Sequence, residues 1–463
     1  MATATVTTSN VTLAARLDRL PPSRYLRGLV ARISLGGWFE YYDLFMTAYI
    51  ALGLIKSGLF TATGFFDWAA FASFVAVMFA GMFVGTLLFS WVSDTYGRKA
   101  TFTYSLLWYS IATFVMALQN SAFTIDLWRF IASIGIGIQL VTIDTYVSEI
   151  TPKNARGSYI AFTNVVSYSA VPVVAAIAYL LVPHEYLGLA GWRWVVMIGA
   201  LGAILIWFIR GDLPESPRWY EIHGQKEKAE AAMVDIEDRV RKETGRELPA
   251  PQVFAGESVA TKGSWLEIWA PRYLSRTIML SLFNLFQTIG TYGFAAWVPI
   301  LLFKEGVTFV HSLEYTFVIA IFNPIGPLIA VYAADRFERK WQIVGLALGI
   351  AIFGLIFSQM KVPGLIILCG VLFTLAYTWF TCAFHAYQAE LYPTRIRAQG
   401  VGFVYSWGRW SAIFVGFVIA GALKQYGTTG VFVLIALAMV AVAVVIGAMG
   451  PNSTGERLET LSS

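Results

Sequence analysis

The sequence predicts an all-α polytopic membrane protein, with twelve membrane-spanning helices arranged as two pseudo-symmetric six-helix bundles around a central cavity. Three observations lead there. The 463 residues are 57% hydrophobic and only 13% charged, against about 25% charged in soluble globular chains. Apolar runs long enough for a hydrocarbon core of about 30 Å recur about twelve times. Two charged motifs also repeat at one offset. Asp94-Thr95-Tyr96-Gly97-Arg98-Lys99 parallels Asp335-Arg336-Phe337-Glu338-Arg339-Lys340, and Glu149-Ile150-Thr151-Pro152 with Arg156 parallels Glu390-Leu391-Tyr392-Pro393 with Arg397. The differences 335 − 94 and 390 − 149 are both 241. Two motifs agreeing on one offset argue for a parallel repeat of six helices each.

In chain order, residues 1–32 read as a cytoplasmic tail, Thr/Ala-rich at its start and without the charged start and apolar core of a signal peptide. The first bundle, 33–210, holds apolar spans at 33–55, 69–92, 101–119, 123–148, 158–182 and 192–210. A long connection, 211–275, is dense in both signs of charge from Gln225 to Lys242 and rich in helix formers, so it reads as a water-exposed helical linker. The second bundle, 276–450, holds spans at 276–302, 311–333, 341–360, 363–388, 398–423 and 428–450, and 451–463 is a second tail. Arg16, Arg19, Arg24, Arg27, Arg98, Lys99, Lys153 and Arg156 fall on one side together with the linker, while Lys56, Arg193 and Lys304 are the main cations opposite. By the positive-inside rule both termini and the linker are cytoplasmic, in a cell membrane. The formal charge of +5 is explained by these clusters and calls for no nucleic-acid partner.

The first span contains Phe39-Glu40-Tyr41-Tyr42-Asp43-Leu44, two carboxylates in an otherwise apolar and aromatic run. At i and i+3 they share one helix face. Each ionisable group near a bilayer centre costs roughly 2.5–3.5 kcal/mol on insertion scales, so the pair needs a cation, a water-filled cavity or a proton. Arg129 enters the fourth span, Asp144 lies further along it, and Arg409 sits in Trp407-Gly408-Arg409-Trp410 of the eleventh. A guanidinium there can hold a carboxylate in a bidentate fork, or partner Asp144 or Glu390. Cys369 and Cys382 form no CxxC or Cys/His arrangement, so neither a disulfide framework nor a metal site is indicated. No nucleophile–base spacing and no phosphate-binding glycine loop is present, so an enzyme or an ATP-driven pump is not expected.

Asp94-x-x-Gly97-Arg98-Lys99 and its copy resemble the loop motif of the major facilitator superfamily, and the resemblance extends over nearly the whole chain. Leu213-Pro214-Glu215-Ser216-Pro217-Arg218-Trp219, preceded by Gly191-Trp192-Arg193-Trp194, is similar to the branch of sugar porters, organic-ion transporters and aromatic-acid/proton symporters. The resemblance implies the major facilitator fold and secondary transport by alternating access, driven by a proton gradient without a cofactor, in a monomer. It also implies a cytoplasmic gate of Asp94, Arg98, Glu149, Arg156, Asp335, Arg339, Glu390 and Arg397. In the sugar-porter branch an aspartate of the first helix pairs with an arginine of the fourth, and the matching residues are Asp43 and Arg129. A carboxylate beside a guanidinium is held ionised, and protonation releases the arginine, which couples a proton to helix rearrangement. Phe39-Glu40-Tyr41-Tyr42-Asp43 resembles the Asp-Gly-Tyr-Asp pattern of aromatic-acid/proton symporters, which adds Glu40, and Asp144 is a candidate second proton site.

Arginine at the position of Arg409 recurs in organic-anion and aromatic-acid transporters, so the resemblance favours a small carboxylate as substrate. Phe286-Gln287-Thr288-Ile289-Gly290 is similar to the Gln-Gln-x-x-Gly sugar motif with its second glutamine alone, Tyr292 replaces an asparagine, and Val171 stands for a fifth-span glutamine near Asn164 and Tyr168. A hexose needs many hydrogen-bond partners, and these substitutions remove several. Tyr42, Tyr146, Tyr168, Tyr292, Trp297, Trp379, Phe380 and Trp407 could stack on an aromatic ring or pack helices. His385 is a lone histidine near the end of the tenth span. The expected binding set is Arg409, Gln287, Tyr292, Asn164, Tyr168, Trp379 and Trp407. The leading function is proton-coupled symport of a small organic anion. The alternatives are a sugar or polyol symporter and, from another class, a non-transporting membrane receptor.

Overall fold

The structure is a computed structural model that describes residues 13–60, 69–88, 90–152, 155–209, 213–251, 265–333, 336–392 and 396–453. Among the described residues fourteen helices make up twelve spans, three of them broken in two and the last two continuous. The first is Arg24–Lys56, started by Ser23, whose hydroxyl accepts from the Leu26 amide, after Pro21 and Pro22. It begins well before the expected residue 33, because Arg24, Arg27 and Arg32 lower the local hydropathy without breaking the helix. Then come Ala69–Leu88, Arg98–Ala117, Ala122–Ile150, the pair Arg156–Tyr168 and Ala170–Leu181, and Gly191–Ile209. The second half has Pro271–Ala295 with Val298–Lys304, Phe309–Ala320 with Ile325–Ala333, Arg339–Phe357 and Pro363–Glu390. The last two spans run through Arg397–Met449 and are divided at Gly427, whose φ of 66° is open to glycine.

Prolines explain the breaks, since each lacks an amide hydrogen and its ring collides with the carbonyl four residues back. Pro172 follows the break at Ser169, Pro299 follows a 60° bend in the seventh span, and Pro324 lies between the halves of the eighth. Along the third span Tyr104, Trp108, Ile111 and Leu118 are exposed while Phe102, Leu106, Tyr109 and Met116 are buried. That stripe suits lipid on one face and protein on the other.

The second and fourth spans touch backbone to backbone. A Cβ on Gly85 would lie 2.2 Å from the Ile134 carbonyl oxygen, and one on Gly137 2.3 Å from that of Met82. Small residues allow this approach between membrane helices. The two halves meet through the second span on the eleventh, the fifth on the eighth and the first on the seventh.

The linker folds as Pro217–Ile222 and Lys226–Thr244, stopped by Gly245 at φ 61°. It is fastened to the first half. Buried Glu237 takes Arg16 at 2.7 and 3.1 Å and Arg19 at 2.7 Å, and Glu243 accepts the Arg24 and Tyr25 amides at 2.7 and 2.6 Å. Burial alone would push the Glu237 carboxyl up, but the bonds from Arg16 and Arg19 outweigh it and hold it below its ordinary value.

Gly137→Ala forces backbone apart and is expected to lower stability by about 1–3 kcal/mol. Gly345→Ala, with nothing within 4 Å of the new Cβ, is expected to leave the thermal midpoint in detergent unchanged or raised; equal effects would discount the close approach. The lowered pKa of Glu237 means that its ionised form favours docking. The clamp is therefore complete above the ordinary glutamate value of 4.5 and is lost as pH falls through the lowered one. Amide exchange in residues 13–25 should accelerate at that acid pH, and at neutral pH in Glu237→Gln.

Candidate functional site

The first span carries Glu40, Asp43 and Thr47 along one face, and the antiparallel fourth span brings Arg129 to it. The Arg129 guanidinium donates to Asp43 Oδ2 at 2.5 Å, the Asp43 carbonyl at 3.0 Å, Thr47 Oγ1 at 2.5 Å and Met78 Sδ at 2.9 Å. It lies 5.4 Å from the centre of the Phe74 ring, and Thr113 of the third span donates to Asp43 Oδ1 at 3.4 Å. Arg129 is 0% and Asp43 2% exposed. Four helices therefore seal this ion pair inside the first half.

A cavity lies between the halves, with about 640 Å³ of space free of protein atoms, open solvent included. Glu40, Tyr41, Phe45 and Tyr168 line it from the first half, and Gln287, Tyr292, Tyr377, His385, Tyr405 and Arg409 from the second. Arg409 donates to the Tyr405 hydroxyl at 3.2 Å and lies over that ring at 5.1 Å; it is within electrostatic reach of Glu40 and Tyr292. Among the described residues no carboxylate oxygen lies within 4 Å of its guanidinium. Gln287 is occupied by its neighbours, accepting from Thr291 at 3.0 Å and donating to Thr288 at 3.3 Å.

Away from the linker the halves are closed by Phe71 against Trp297, Phe79 against Tyr292 and Tyr179 stacked on Phe317. Toward the linker, Asp144 and His385 are exposed. These two are equivalents under the 241-residue repeat, and His385 lines the cavity. The cavity is thus accessible from the linker end.

At that end the repeat is drawn twice in side chains. Arg98 pairs with Glu149 at 2.9 Å and Arg339 with Glu390. Tyr146 donates to the Pro214 carbonyl, and Tyr387 to that of Pro451 at 2.8 Å. Glu215 is specific to the first half, accepting the Arg98, Lys99 and Ser216 amides at 2.9, 3.2 and 2.9 Å and so capping the third span. Its carboxyl is held above its ordinary value because burial outweighs those amide bonds. Gly97, at φ 96°, leaves the room: a Cβ there would sit 2.4 Å from Glu215 Oε2. In the second half Ser453 takes this region, its amide to Glu338 and its hydroxyl to Glu390 at 2.9 and 2.8 Å.

The structure thus joins Asp43 to Arg129 and gathers Glu40, Arg409, Gln287, Tyr292 and Tyr168 around one cavity. It places other expected residues elsewhere. Trp379 turns toward the ninth span and donates to Gln342 at 3.1 Å. Trp407 packs its edge on Phe403 and Trp410 and is 38% exposed. Asn164 is half-buried outside the cavity lining. The alternative partnership of Arg409 with Asp144 or Glu390 is not formed, Glu390 being held by Arg339 and Asp144 facing solvent. Asp335 lies outside the described residues, as do the side chains of Asp94, Arg156 and Arg397.

Sequence reasoning missed Tyr41, Tyr377, Thr381 and Tyr405 as lining residues, and Glu215 as a cap. Two signals were available. Tyr405 is one turn before Arg409, and the same offset carried inward sets Asn284 opposite Asp43 and His385 opposite Asp144.

A family model described as "Sugar (and other) transporter" matches residues 29–463. A putative metabolite transport protein of Bacillus subtilis is 33% identical over 446 residues, covering 96% of each chain. The niacin transporter of Acinetobacter baylyi is 29% identical over 456 residues, 97% of this chain and 99% of that one. Among solved structures, the xylose transporter of Escherichia coli in a partially occluded inward-open conformation superposes with a TM-score of 0.74 at 18% identity, over 94% of this chain and 100% of that one.

The buried pair itself can be tested. Asp43→Ala leaves a sealed guanidinium uncompensated, and a loss of about 3–5 kcal/mol is expected, whereas the double change Asp43→Leu with Arg129→Met removes both charges and should recover much of it. Thermal unfolding of purified protein reads the difference. Equal losses in the two variants would contradict the pairing.

Proposed function

The chain belongs to the sugar (and other) transporter family of the major facilitator superfamily, a family of membrane transporters, and on that premise we propose that it is a proton-coupled symporter of a small aromatic carboxylate. The observation that carries the reading is Arg409. Its fork of donors faces the cavity, bonded to a hydroxyl and, among the described residues, to no carboxylate, so a substrate carboxylate supplies the missing counter-charge in bidentate geometry. Tyr41, Tyr168, Tyr292, Tyr377 and Tyr405 give the ring faces that a planar acid stacks on. The relative named for niacin, itself a heteroaromatic acid, supports that substrate class. Gln287, Thr288 and Thr291 bond one another, which leaves little for a sugar's hydroxyls.

Coupling rests on Asp43 and Glu40. Protonation of Asp43 frees Arg129 and loosens the four helices joined there, while Glu40 meets substrate and proton in the cavity. The linker end, with Arg16, Arg19, Arg24 and Arg27, faces the cytoplasm of a cell membrane. The cavity accessible from that end then corresponds to an inward-facing state, and the Arg98–Glu149 and Arg339–Glu390 pairs belong to its gate.

The test is reconstitution in liposomes containing a pH dye, with nicotinate, benzoate, a hexose or an organic cation added in turn. Nicotinate or benzoate should acidify the lumen, and Arg409→Ala should reduce that signal roughly tenfold or more, the scale of a lost charge-assisted pair. Asp43→Asn should abolish acidification. Acidification by hexose, unchanged in Arg409→Ala, would return the chain to sugar transport, and binding without flux would mean a receptor.

A further inference from the structure

Coupling through Asp43, as proposed above, underlies this inference and requires a proton to reach a sealed carboxylate: Glu40 lines the cavity and Asp43 does not. Between them the first half holds a group of buried polar atoms: Glu40 Oε1, Ser133 Oγ and Arg129 Nε have no hydrogen-bond partner, and the Tyr109 hydroxyl and Ser110 Oγ face each other. All five side chains are at most 6% exposed. Buried polar groups are almost always satisfied, and polar pockets of this kind admit ordered water.

The residues that carry them also lie in register. The first and third spans run away from the linker and the fourth runs toward it. Asp43, Thr113 and Arg129 are bonded to one another and so share one level. One turn nearer the linker on each helix come Glu40, Tyr109 and Ser133. Tyr109 is within electrostatic reach of both Asp43 and Glu40 and in contact with Ser110.

We propose that Tyr109, Ser110 and Ser133 form a water-bridged proton path between Glu40 in the cavity and the Asp43–Arg129 pair. A proton taken from cavity water by the Glu40 carboxylate is passed on as each hydroxyl accepts one proton and gives up its own. It ends on the Asp43 carboxylate, whose bond to Arg129 breaks. The hydroxyls return to their starting state, and release runs the same steps backward. The titratable and charged groups facing Asp43 are Arg129 from the fourth span, Tyr109 from the third, and Glu40 and Tyr42 from its own helix; the second span offers Met78 and Phe74. Those facing Glu40 are Arg409, Asp144 and Asp43, with the hydroxyls of Tyr41, Tyr109 and Tyr292. Tyr109, Ser110 and Ser133 are proton carriers in this path, and none of them lines the cavity.

The experiment is infrared spectroscopy of the full-length protein in liposomes after a pH jump, without substrate. The carboxyl band of Asp43 is identified as the one missing in Asp43→Asn. In Tyr109→Phe and in Tyr109→Phe with Ser110→Ala, the band is expected to reach wild-type amplitude at a rate lower by at least about tenfold, as for removal of a positioned proton carrier. Ser133→Ala, a smaller change, is measured beside them and decides the matter if a Tyr109 variant misfolds. Wild-type rates in the folded variants overturn the path and leave the coupling intact. Absence of any Asp43 band in the wild type overturns the coupling and the path together.

Discussion

A guanidinium with no access to water has to find its counter-charge within the protein, and in this chain that requirement fixes the first half. Arg129 collects a carboxylate, a carbonyl, a hydroxyl and a thioether, with an aromatic face behind it. Its partners come from the first and second spans, and Asp43 is in turn reached from the third. Low local dielectric makes such a set strong when complete and severe when broken. Change at Asp43 is therefore felt by four helices at once, which is the property required of a switch.

The second half has no such knot among its described residues. Asn284 stands where the repeat places Asp43, and it donates to the Leu280 carbonyl and to Gln388 at 2.9 and 3.1 Å; Gly370 stands where the repeat places Arg129. Duplication was kept at the linker end, in Arg98–Glu149 with Arg339–Glu390 and in Tyr146 with Tyr387, and abandoned at the core. The second half presents Arg409 to the cavity, while the first half lines it with Glu40 and seals Asp43 and Arg129 beneath the wall. The proposed division of labour, anion on one side and proton on the other, follows from that asymmetry.

The linker is an extension of the first half. Glu215 caps the third span, Glu237 gathers the short N-terminal helix Leu13–Asp18, and Glu243 caps the first span. All three are acids at helix starts or against arginines, where the peptide dipole and fixed cations favour negative charge. Rocking of one bundle against the other would carry this linker with the first.

The fold was legible from residue order because its signals are local or periodic: apolar length, positive clusters beside span ends, proline and glycine at breaks, and one repeat offset read twice. The spans at 341–360, 363–388 and 428–450 correspond closely to Arg339–Phe357, Pro363–Glu390 and the helix after Gly427. The pairing of Asp43 with Arg129 was expected through the resemblance to the sugar-porter branch, and the two are bonded at 2.5 Å. Which aromatic faces the cavity was not. Trp379 and Trp407 have the same apolar surroundings in sequence as Tyr377 and Tyr405, yet one of each pair turns to a neighbouring helix or outward while the other lines the site. That choice depends on the rotation of each helix about its own axis. Rotation is set by packing against neighbours hundreds of residues away, and only the tertiary structure contains it.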